Sequence, residues 1–559
     1  MADTKLSSRT VLNLNVGCLG HVDSGKTSLV KALSTTASTA SFDKSRQSRE
    51  RGITIDLGFS SLCVDIPEHI KLETQSTQEY KDVSLLQFTF VDCPGHASLI
   101  KTIIGGAQII DYMLLVVDIV KGIQTQTAEC LVIGEMTCDK MIVVLNKCDL
   151  IPLDKREVTI EKMSKRILKT LEKTKFASSK IIPVAAKPDS DEQSQPIGLK
   201  VLLEALCDEA FVPKRNHVGE LMLSVDHCFS IRGQGAIMTG TILQGTIQVN
   251  DTIEIPSLKV TKKVKSMQMF HKPIMKAIQG DRVGVCVTQF DPKLMERGFV
   301  CSPGYMNVSY AAIASFKRIS YFKGHYKTRS KFHVTLMHET VLAKTTFFAS
   351  KVNGKDDGQS ASFDFDSHYY YVDDIKPQED TLNGDQIFVL LQFEHPVILN
   401  KNALYIGSKL DSDINANVCR LAFHGNILES FSDKSYMDKD LPNLKIYKIK
   451  EKEGIVDRVV NEYEVIARNM FKKETKIQLF EGLKVKLSSG EEGIIDGNFG
   501  TSGKVKIRIP AGLKDTNVKE MIGKSKRTAN SENEIHEHIK IYLRFKRFIF
   551  DENKRMIQE

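Results

Sequence analysis

The segment Gly20-His21-Val22-Asp23-Ser24-Gly25-Lys26-Thr27 decides the fold of the first third of the chain. The apolar run 12–19 before it is typical of a buried parallel strand, and the run 27–33 after it predicts a helix. On such a turn, backbone N–H groups cradle phosphate, Lys26 reaches the β and γ phosphates, and the Thr27 hydroxyl ligates Mg²⁺. The predicted nucleotide-binding residues here are Asp23, Ser24, Gly25, Lys26, Thr27 and Ser28. A glycine-rich turn also arises by chance, so the later segments decide the matter.

A second apolar run, 85–91, ends at Asp92-Cys93-Pro94-Gly95. The Asp92 carboxylate is suited to hold Mg²⁺, and the Gly95 N–H is free of any side chain that would keep it from the γ-phosphate. His96 follows directly. Its imidazole is a candidate catalytic group that orients the attacking water, as a Gln does in Ras-like proteins. The alternative is a surface histidine on a mobile loop.

The segment Asn146-Lys147-Cys148-Asp149 follows the apolar run 141–145 and selects the base. The Asp149 carboxylate can accept hydrogen bonds from the ring N–H and the amine of guanine together, whereas adenine has no such pair of donors. A site built this way rejects the wrong base by ~10⁴ or more. Asn146 would steady the loop, and the stem of Lys147 would cover a face of the base.

A fourth segment, Ala185-Ala186-Lys187, follows the apolar run 181–184. The Ala186 N–H can reach guanine O6, although this segment alone is weak support. Between the first two segments, Thr54 lies in a loop before an apolar run and is a natural third Mg²⁺ ligand, ordered only while the γ-phosphate is present. The four segments in this order predict a GTPase that uses GTP, GDP and Mg²⁺.

These segments resemble those of translational GTPases of the elongation factor Tu group. The resemblance rests on the first segment, on Arg51-Gly52-Ile53-Thr54 and on Asp92-Cys93-Pro94-Gly95-His96. Within that group, the stretches 47–54, 95–100 and 103–110 resemble eukaryotic selenocysteine-specific elongation factors. The resemblance covers nearly the whole chain and is strongest in the first 310 residues. Ser24 departs from the His of most members, in the variable part of the loop.

The resemblance implies a factor that delivers selenocysteinyl-tRNA to the ribosome at UGA codons and hydrolyses GTP on delivery. Two alternatives within the group are a general aminoacyl-tRNA carrier and an initiation-type GTPase. The latter typically has zinc-binding Cys pairs, and the 11 cysteines of this sequence include no Cys-x-x-Cys. An alternative from another class is an RNA-binding scaffold locked to its nucleotide, with negligible turnover.

The resemblance also places Asp226, His227 and Arg282 at a pocket for the aminoacyl end of the tRNA. Ordinary elongation factors have an uncharged Asn at the position of Arg282. A selenol is more acidic than a hydroxyl, so selenocysteine is an anion at neutral pH while serine is neutral. The always-charged Arg282 and a protonated His227 would favour that anion. The alternative is that Asp281 and Arg282 form a turn ion pair.

The pattern of runs predicts a multidomain chain that combines α/β and all-β folds. A P-loop GTPase domain, with a mostly parallel sheet and helices on both faces, is expected over 1–216. Two β-barrels are expected over 217–310 and 311–434, followed by an appended β-rich domain over 435–559. The acidic segment 351–386 is interpreted as a largely disordered polar insertion in the third domain.

The positive charge concentrates in the appended domain. Residues 444–559 contain 25 lysines and arginines against 18 aspartates and glutamates, a net charge of +7, while the whole chain has +8. The alternating run 504–509 predicts a strand with three cations on one face, and 542–548 adds aromatics among cations. Such faces suit RNA phosphates or an RNA–protein complex. A charged strand face is equally often merely solvated.

The resemblance implies these partners: selenocysteinyl-tRNA, the ribosome, and the RNA of a selenocysteine insertion element through its binding protein. The scattered cysteines suggest a reducing compartment. The sequence shows no signal segment and no apolar run near 18 residues. A soluble monomer without membrane contact is therefore expected, in the cytoplasm and also in the nucleus.

Overall fold

The computed structural model describes most of the chain, and the chain divides into two compact units. The first lies within Met1–His325, Ser330–Thr345 and Leu391–Ser432, and the second within Tyr326–Arg329, Thr346–Leu390 and Asp433–Glu559. The described residues are 11–37, 57–75, 80, 82–95, 102, 104, 109–188, 195–231, 233, 235–337, 339–351, 363–376, 385–411, 419–500, 503–513, 539–551 and 556–558.

The N-terminal part of the first unit is built on a sheet of seven described strands. They are β1 (Val11–Leu19), β2 (Thr36–Ala37), β3 (Gly58–Asp65), β4 (Leu85–Asp92), β5 (Tyr112–Asp118), β6 (Lys140–Asn146) and β7 (Ile181–Pro183). Their order is β2-β3-β4-β1-β5-β6-β7. Pairing is parallel from β4 through β7, whereas β3 runs antiparallel to β4 and β2 to β3. The prediction of a mostly parallel sheet is confirmed.

Helices cover both faces of this sheet, as predicted. They are α1 (Lys26–Leu33), α2 (Glu68–Gln75), α3 (Thr125–Thr137), α4 (Leu153–Leu171) and α5 (Leu199–Glu209). α1 and α5 bury Leu29 and Leu206 in one core, and α3 and α4 bury Ile133 and Leu171 in the other. All seven residues of β5 are buried. A continuous apolar strand is what a sheet covered on both faces requires.

A closed barrel follows in the same unit. The strands of this region are β8 (Met222–Ile231), β9 (Gly235–Gln244), β10 (Thr246–Gln248), β11 (Thr252–Ile255), β12 (Val260–Met269), β13 (Lys272–Ile274), β14 (Lys276–Ile278), β15 (Arg282–Val287) and β16 (Gly298–Cys301). Of these, β10 and β14 form a separate two-stranded sheet, and the others belong to the barrel sheet. The order β11-β16-β8-β9-β15-β12 closes because β12 also pairs with β11. This confirms the predicted antiparallel barrel. The sequence did not reveal β12, because Lys262, Lys263 and Lys265 obscure its two buried apolar residues, Val264 and Met267.

The next strands belong partly to each unit. They are β17 (Asn307–Ser315), β18 (Lys317–Arg318), β19 (Tyr326–Lys327), β20 (Lys331–Leu336), β21 (Glu339–Ser350), β22 (Tyr369–Val372), β23 (Asp374–Ile375), β24 (Gln386–Leu399), β25 (Leu404–Ser408) and β26 (Leu421–Phe431). Within the first unit, β20 pairs with β25, β25 with β26, and β26 with β17. All three pairings are antiparallel, so this part is β-rich, as predicted.

A buried ion pair joins α3 to this third region of the first unit. Arg420 donates from Nε to Oε1 of Glu129 at 2.9 Å and from Nη2 to Oε2 at 2.8 Å. The two side chains are 6% and 4% exposed. Ile406 and Leu421 belong to the same hydrophobic core as α3. Apolar packing and a two-point ion pair therefore hold the N-terminal sheet and this region together.

In the second unit, one part of the supposed polar insertion is folded. Residues 363–376 include β22 and β23, and Tyr369 is only 2% exposed. Its ring centre lies 5.2 Å from that of Phe348 and 5.4 Å from that of Phe363. The interpretation of 351–386 as largely disordered is wrong for this stretch, because its aromatic residues form a core despite the acidic flanks. Residues 352–362 and 377–384 of the insertion lie outside the described residues.

The C-terminal part of the second unit is also a closed barrel. Its elements are α6 (Tyr436–Lys439), β27 (Ile446–Asn461), β28 (Glu464–Arg468), β29 (Lys484–Leu487), β30 (Glu492–Phe499), β31 (Lys504–Arg508), β32 (Lys540–Phe548) and β33 (Met556–Ile557). The order β27-β28-β31-β30-β29-β32 closes because β27 pairs with β32 along Tyr447–Ile455. The predicted β-rich domain is confirmed.

No helix in the described part of the chain is both long enough and apolar enough to cross a membrane.

Candidate functional site

The phosphate loop connects β1 to α1 as the sequence predicts. Gly20 and Gly25 have φ of 151° and 90°, and Asp23 lies at 60°. A Cβ on Gly20 would collide with the Val116 carbonyl, and one on Gly25 with the amide of Asn146. Both positions therefore require glycine, since the backbone has a positive φ and no room for a side chain.

Lys26 lies inside this loop with 6% of its surface exposed. Its Nζ donates to the carbonyls of Gly20 at 3.1 Å and His21 at 2.8 Å. Burial lowers the pKa of Lys26, and the nearby Asp92 carboxylate offsets part of that shift. Gly95 lies directly against Nζ, since a Cβ there would collide with it. The lysine thus lies between the phosphate loop and the end of the Asp92 segment.

Two of the three residues predicted to hold Mg²⁺, Thr27 and Asp92, meet at the end of β4. Thr27 Oγ1 donates to Oδ2 of Asp92 at 2.7 Å. The other carboxylate oxygen, Oδ1, is buried without a hydrogen-bond partner among the described residues. Burial raises the pKa of Asp92 to about 6, against the hydrogen bond from Thr27 and the charge of Lys26. A hydroxyl next to an unsatisfied carboxylate oxygen fits Mg²⁺, which would neutralise charge on the phosphates.

The base-recognition segments meet through Asn146. Its Nδ2 donates to the Ser24 carbonyl at 2.9 Å, and its Oδ1 accepts from the Ala186 N–H at 3.1 Å. Asn146 therefore ties the phosphate loop to the fourth segment, in line with its predicted steadying role. The Ala186 N–H, assigned from the sequence to guanine O6, is used here by Asn146. Its contact with guanine stays a prediction.

Lys147 and Asp149 flank this junction. Lys147 has a φ of 66°, and Asp149 lies half-buried in the short turn Cys148–Leu150. The Lys147 Nζ lies 2.9 Å from Oδ2 of Asp118, at the end of β5. Burial opposes ionisation of Asp118, but hydrogen bonds from Lys147 and two backbone N–H groups outweigh it and lower its pKa. Asp118 was not predicted from the sequence, although Asp92 was identified as an acid that ends a buried parallel strand, and Asp118 ends one too.

Three further residues predicted to bind the nucleotide lie at the following positions. Ser28 lies in α1, the Ala185 N–H donates to the Ile197 carbonyl at 3.0 Å, and Lys187 is exposed. Thr54 and His96 lie outside the described residues, so their assigned roles stay predictions.

Two of the three residues predicted for the aminoacyl pocket, Asp226 and Arg282, meet on the first barrel. Arg282 Nη1 donates to Oδ2 of Asp226 at 2.6 Å, and Thr239 donates to Oδ1 at 3.0 Å. Arg282 is 4% exposed, and its Nη2 has no hydrogen-bond partner among the described residues. His227 is the next residue on β8, half-buried. Asp281 accepts from the Ile278 N–H at 3.0 Å, so its carboxylate closes the turn while Arg282 pairs with Asp226.

A small cavity of about 80 Å³ lies beside this ion pair. Arg282, Thr239, Phe229, Phe270 and His271 contribute to its walls. The barrel thus offers a small, partly open space with a buried cation at its edge and both apolar and polar side chains in its walls.

The loop that leads into Arg282 is fixed to the N-terminal sheet. The Gly280 carbonyl accepts from the side-chain amides of Asn13 at 2.8 Å and Asn15 at 2.9 Å. Arg215 forms two hydrogen bonds of 2.6 Å to Asp111 and lies so close to Gly280 that a Cβ there would collide with it. These buried contacts set the position of the pocket relative to the nucleotide site.

The cation-bearing strand of the C-terminal barrel is β31, as predicted, and Val505 and Ile507 point into its core. Its cations are largely neutralised. Lys504 pairs with Asp457 at 2.7 Å, and Lys506 pairs with Glu464 at 2.7 Å and Asp496 at 3.7 Å. The interpretation of this face as solvated is therefore favoured over phosphate binding.

A second cationic surface lies elsewhere on the same barrel. We call it the basic cleft and define it by Lys450, Lys452, Lys476 and Arg547, which line a depression of about 450 Å³. Lys450, Lys476 and Arg547 form no side-chain hydrogen bond or ion pair with any other described residue. Burial and the charge of Lys472 lower the pKa of Lys452. Unlike the β31 face, the basic cleft has uncompensated positive charge.

The chain matches four family models in succession. They are the elongation factor Tu GTP binding domain over 12–213, elongation factor Tu domain 2 over 235–302, the third domain of eukaryotic selenocysteine-specific elongation factors over 313–425 and the eEFSec C-terminal RIFT domain over 442–554. Together with the phosphate and base loops, they define a translational GTPase of the elongation factor Tu type. Such a protein binds GTP or GDP with Mg²⁺ and hydrolyses GTP.

Full-length relatives narrow this class. The selenocysteine-specific elongation factor of Mus musculus is 50% identical over 584 residues, covering 98% of this chain and 99% of that protein. The one from Methanocaldococcus jannaschii is 32% identical, covering 89% and 94%. This chain belongs to the family of selenocysteine-specific elongation factors.

A solved structure agrees with this assignment. Translation elongation factor SelB from Methanococcus maripaludis, in complex with the GTP analogue GppNHp, superposes with a TM-score of 0.64 at 25% identity. The match covers 97% of this chain and all of that one.

Proposed function

We propose that this protein, in its GTP-bound form, binds selenocysteinyl-tRNA and delivers it to the ribosome at UGA codons, hydrolysing GTP on delivery. The observation that carries the proposal is the buried Arg282, whose Nη2 has no partner in the described part of the chain. An unsatisfied cationic donor beside a small cavity suits an anionic side chain, and a selenolate is one. A general aminoacyl-tRNA carrier would gain nothing from a fixed charge at this place.

The pocket would favour a selenocysteine side chain and disfavour a serine side chain. A selenolate would accept a charge-assisted hydrogen bond from Arg282, which is stronger than a bond between neutral groups. A seryl side chain would leave the buried guanidinium with a neutral partner. Asp226 holds the guanidinium in place without using all of its donors. Selectivity thus depends on the charge of the cargo, since the two side chains differ little in size.

Replacing Arg282 by Asn is expected to reduce the preference for selenocysteinyl-tRNA over seryl-tRNA by about 10- to 100-fold, the value of one hydrogen bond to a charged group. The measurement is the ratio of the two dissociation constants for the same tRNA charged with either amino acid, by filter binding with GTP. The matched variant Arg282→Lys keeps the positive charge but loses the planar set of guanidinium donors. Its preference for selenocysteinyl-tRNA should therefore lie between those of wild type and Arg282→Asn. Equal discrimination in wild type and Arg282→Asn would contradict the proposed pocket.

The GTPase cycle controls when the tRNA is bound and when it is released. In our proposal Lys26 and the phosphate loop bind the β and γ phosphates, Thr27, Asp92 and Thr54 hold the magnesium ion, and Asp149 selects guanine. Mg²⁺ would supply neutralisation of the phosphate charge. On the ribosome, His96 orients the attacking water, and loss of the γ-phosphate releases the segments that hold the tRNA. The contact between Gly95, at the end of the Asp92 segment, and Lys26 Nζ supports this coupling of nucleotide state to tRNA binding.

The C-terminal barrel provides the link to selenocysteine messages. We propose that the basic cleft binds the RNA of a selenocysteine insertion element, in a complex with the protein bound to it. Its uncompensated cations support phosphate contacts, since each neutralised phosphate releases counterions. The paired lysines of β31 offer much less. Direct RNA contact and capture through the bound protein are separable outcomes of one experiment.

The double variant Lys450→Ala/Arg547→Ala is expected to weaken binding to an insertion-element hairpin and flatten its salt dependence. Loss of two phosphate contacts should reduce the slope of log affinity against log salt by about 1.4–1.8. Filter binding of the full-length GTP form over a salt series gives this slope. The matched control is Lys504→Ala/Lys506→Ala, whose lysines already have acidic partners, so its slope should stay unchanged. An unchanged slope in the first variant, with lost capture of the binding protein, would point to protein contact instead.

We also propose a monomer located in the cytoplasm and additionally in the nucleus. All 11 cysteines are free thiols, and most are buried. Free thiols fit a reducing compartment. Gel filtration with light scattering and imaging of a tagged protein would test the two points.

A further inference from the structure

The guanidinium of Arg282 stacks on an aromatic ring from the N-terminal sheet. Its carbon lies 3.2 Å from the centre of the Phe59 ring, and Phe59 is only 1% exposed. Arg282, Asp226 and Thr239 belong to the barrel, whereas Phe59 belongs to β3 of the GTPase sheet. The cation proposed to recognise the cargo is therefore held by groups from two domains.

The two contacts on Arg282 restrict different motions. The 2.6 Å bond to Asp226 fixes one end of the guanidinium but allows rotation about that bond. Stacking on Phe59 fixes the plane of the group, because a planar guanidinium lies flat on a ring face. With plane and end fixed, Nη2 keeps one direction and stays without a partner among the described residues. The ring thus keeps a donor available that a mobile arginine would turn toward the nearest oxygen.

Phe59 is itself fixed by its strand. It pairs with Val91, and the adjacent Gly58 pairs with Asp92, the predicted Mg²⁺ ligand at the end of β4. On the barrel side, the hydrogen bonds from Asn13 and Asn15 to Gly280 hold the loop that leads into Arg282. The stacking distance is therefore set by the docking of the barrel on the sheet, and neither domain alone contains a complete pocket.

We infer that Phe59 is a positioning residue for cargo selection: it orients Arg282 so that the guanidinium favours an anionic aminoacyl side chain over a neutral one. This inference rests on the proposed function, since it assumes that Arg282 reads the charge of the cargo. Phe59 acts through Arg282 and needs no contact with the cargo itself.

The test compares three variants of the full-length protein bound to GTP. Phe59→Leu and Phe59→Met keep an apolar side chain without a ring, and Phe59→Tyr keeps the ring. The measured quantity is the ratio of dissociation constants for the same tRNA charged with selenocysteine or serine. A purely structural defect would weaken both complexes and leave the ratio unchanged. We expect about a tenfold lower ratio for Leu and Met, a difference of about 1.4 kcal/mol, and a ratio within about twofold of wild type for Tyr.

A matched control is Phe88→Leu, which removes a buried ring from the neighbouring strand β4, in the other core of the sheet. It should lower the melting temperature and leave the ratio unchanged. If Phe59→Leu does not fold, Phe59→Met gives the same comparison. A wild-type ratio in the folded ring-free variants, while Arg282→Asn loses discrimination, would overturn the role of Phe59 and leave the pocket intact. If Arg282→Asn also discriminates normally, both the pocket and this inference are wrong.

Discussion

Replacing Asp149 by Asn is expected to lower the affinity for GTP by about 10⁴-fold and to raise the affinity for xanthosine triphosphate. In the predicted site the carboxylate would accept two hydrogen bonds from guanine, whereas an amide cannot accept both, so one buried donor would be left unpaired. Xanthine has a carbonyl where guanine has its amine, and the side-chain amide introduced by the substitution can donate to that carbonyl. Competition against a fluorescent guanine nucleotide gives both dissociation constants.

The structure makes this substitution a local one. Asp149 lies in a short turn whose flanking residue Asn146 is anchored at both ends by hydrogen bonds, and the Asp149 carbonyl accepts from Arg156 at 3.4 Å. Changing one carboxyl oxygen to nitrogen disturbs none of these contacts. Asp154→Asn is the matched control, because Asp154 is an exposed acid on α4. Unchanged GTP affinity in Asp149→Asn would remove the base assignment.

Replacing His96 by Ala is expected to lower ribosome-stimulated GTP hydrolysis by about 10²- to 10⁴-fold while GTP affinity stays the same. This range is what a positioned acid–base group contributes to a rate. Gly95, directly before it in the sequence, lies against Lys26 Nζ, so the chain enters this segment at the predicted γ-phosphate position. Single-turnover hydrolysis with and without ribosomes measures the effect.

Two comparisons make the His96 experiment specific. His69→Ala is the control, because His69 lies outside the site and its ring contacts the Ala210 carbonyl at 3.1 Å. It should hydrolyse GTP at the wild-type rate. A His96→Ala variant that no longer binds GTP would show a structural role, and one that hydrolyses normally would exclude the catalytic assignment.

The nucleotide site was the most predictable part of the molecule, because each of its segments is local in sequence. A strand, a glycine turn and a helix start specify the phosphate loop within one short stretch of chain, and the structure places Thr27 beside Asp92 as expected. The predicted roles of Lys26 and Thr27 rest only on residue type and spacing. Asp118 was not predicted because it is not part of a short motif such as Asp92-Cys93-Pro94-Gly95, although it too ends a buried strand.

Features that depend on partners distant in sequence could not be predicted. The pairing of Lys504 with Asp457 spans 47 residues, so the strand appeared to be a free cationic face. The basic cleft is formed by residues of β27, β32 and the chain before β29, so no single stretch of sequence could predict it. The acidic composition around 363–376 led to a wrong prediction of disorder, although the aromatic residues of this stretch form a core. The stacking of Phe59 on Arg282 joins two domains and has no local pattern at all.

The buried pair of Glu129 and Arg420 has a consequence for how such a chain can diverge. Loss of either partner alone would strand a charge in the interior, at about 3–5 kcal/mol, whereas replacing both by apolar residues is often neutral. The two codons lie 291 positions apart, in regions that match separate family models. The contact therefore predicts that these two positions change together when the chain diverges. A GTPase domain and a third domain exchanged between distant relatives would have to bring this pair along together.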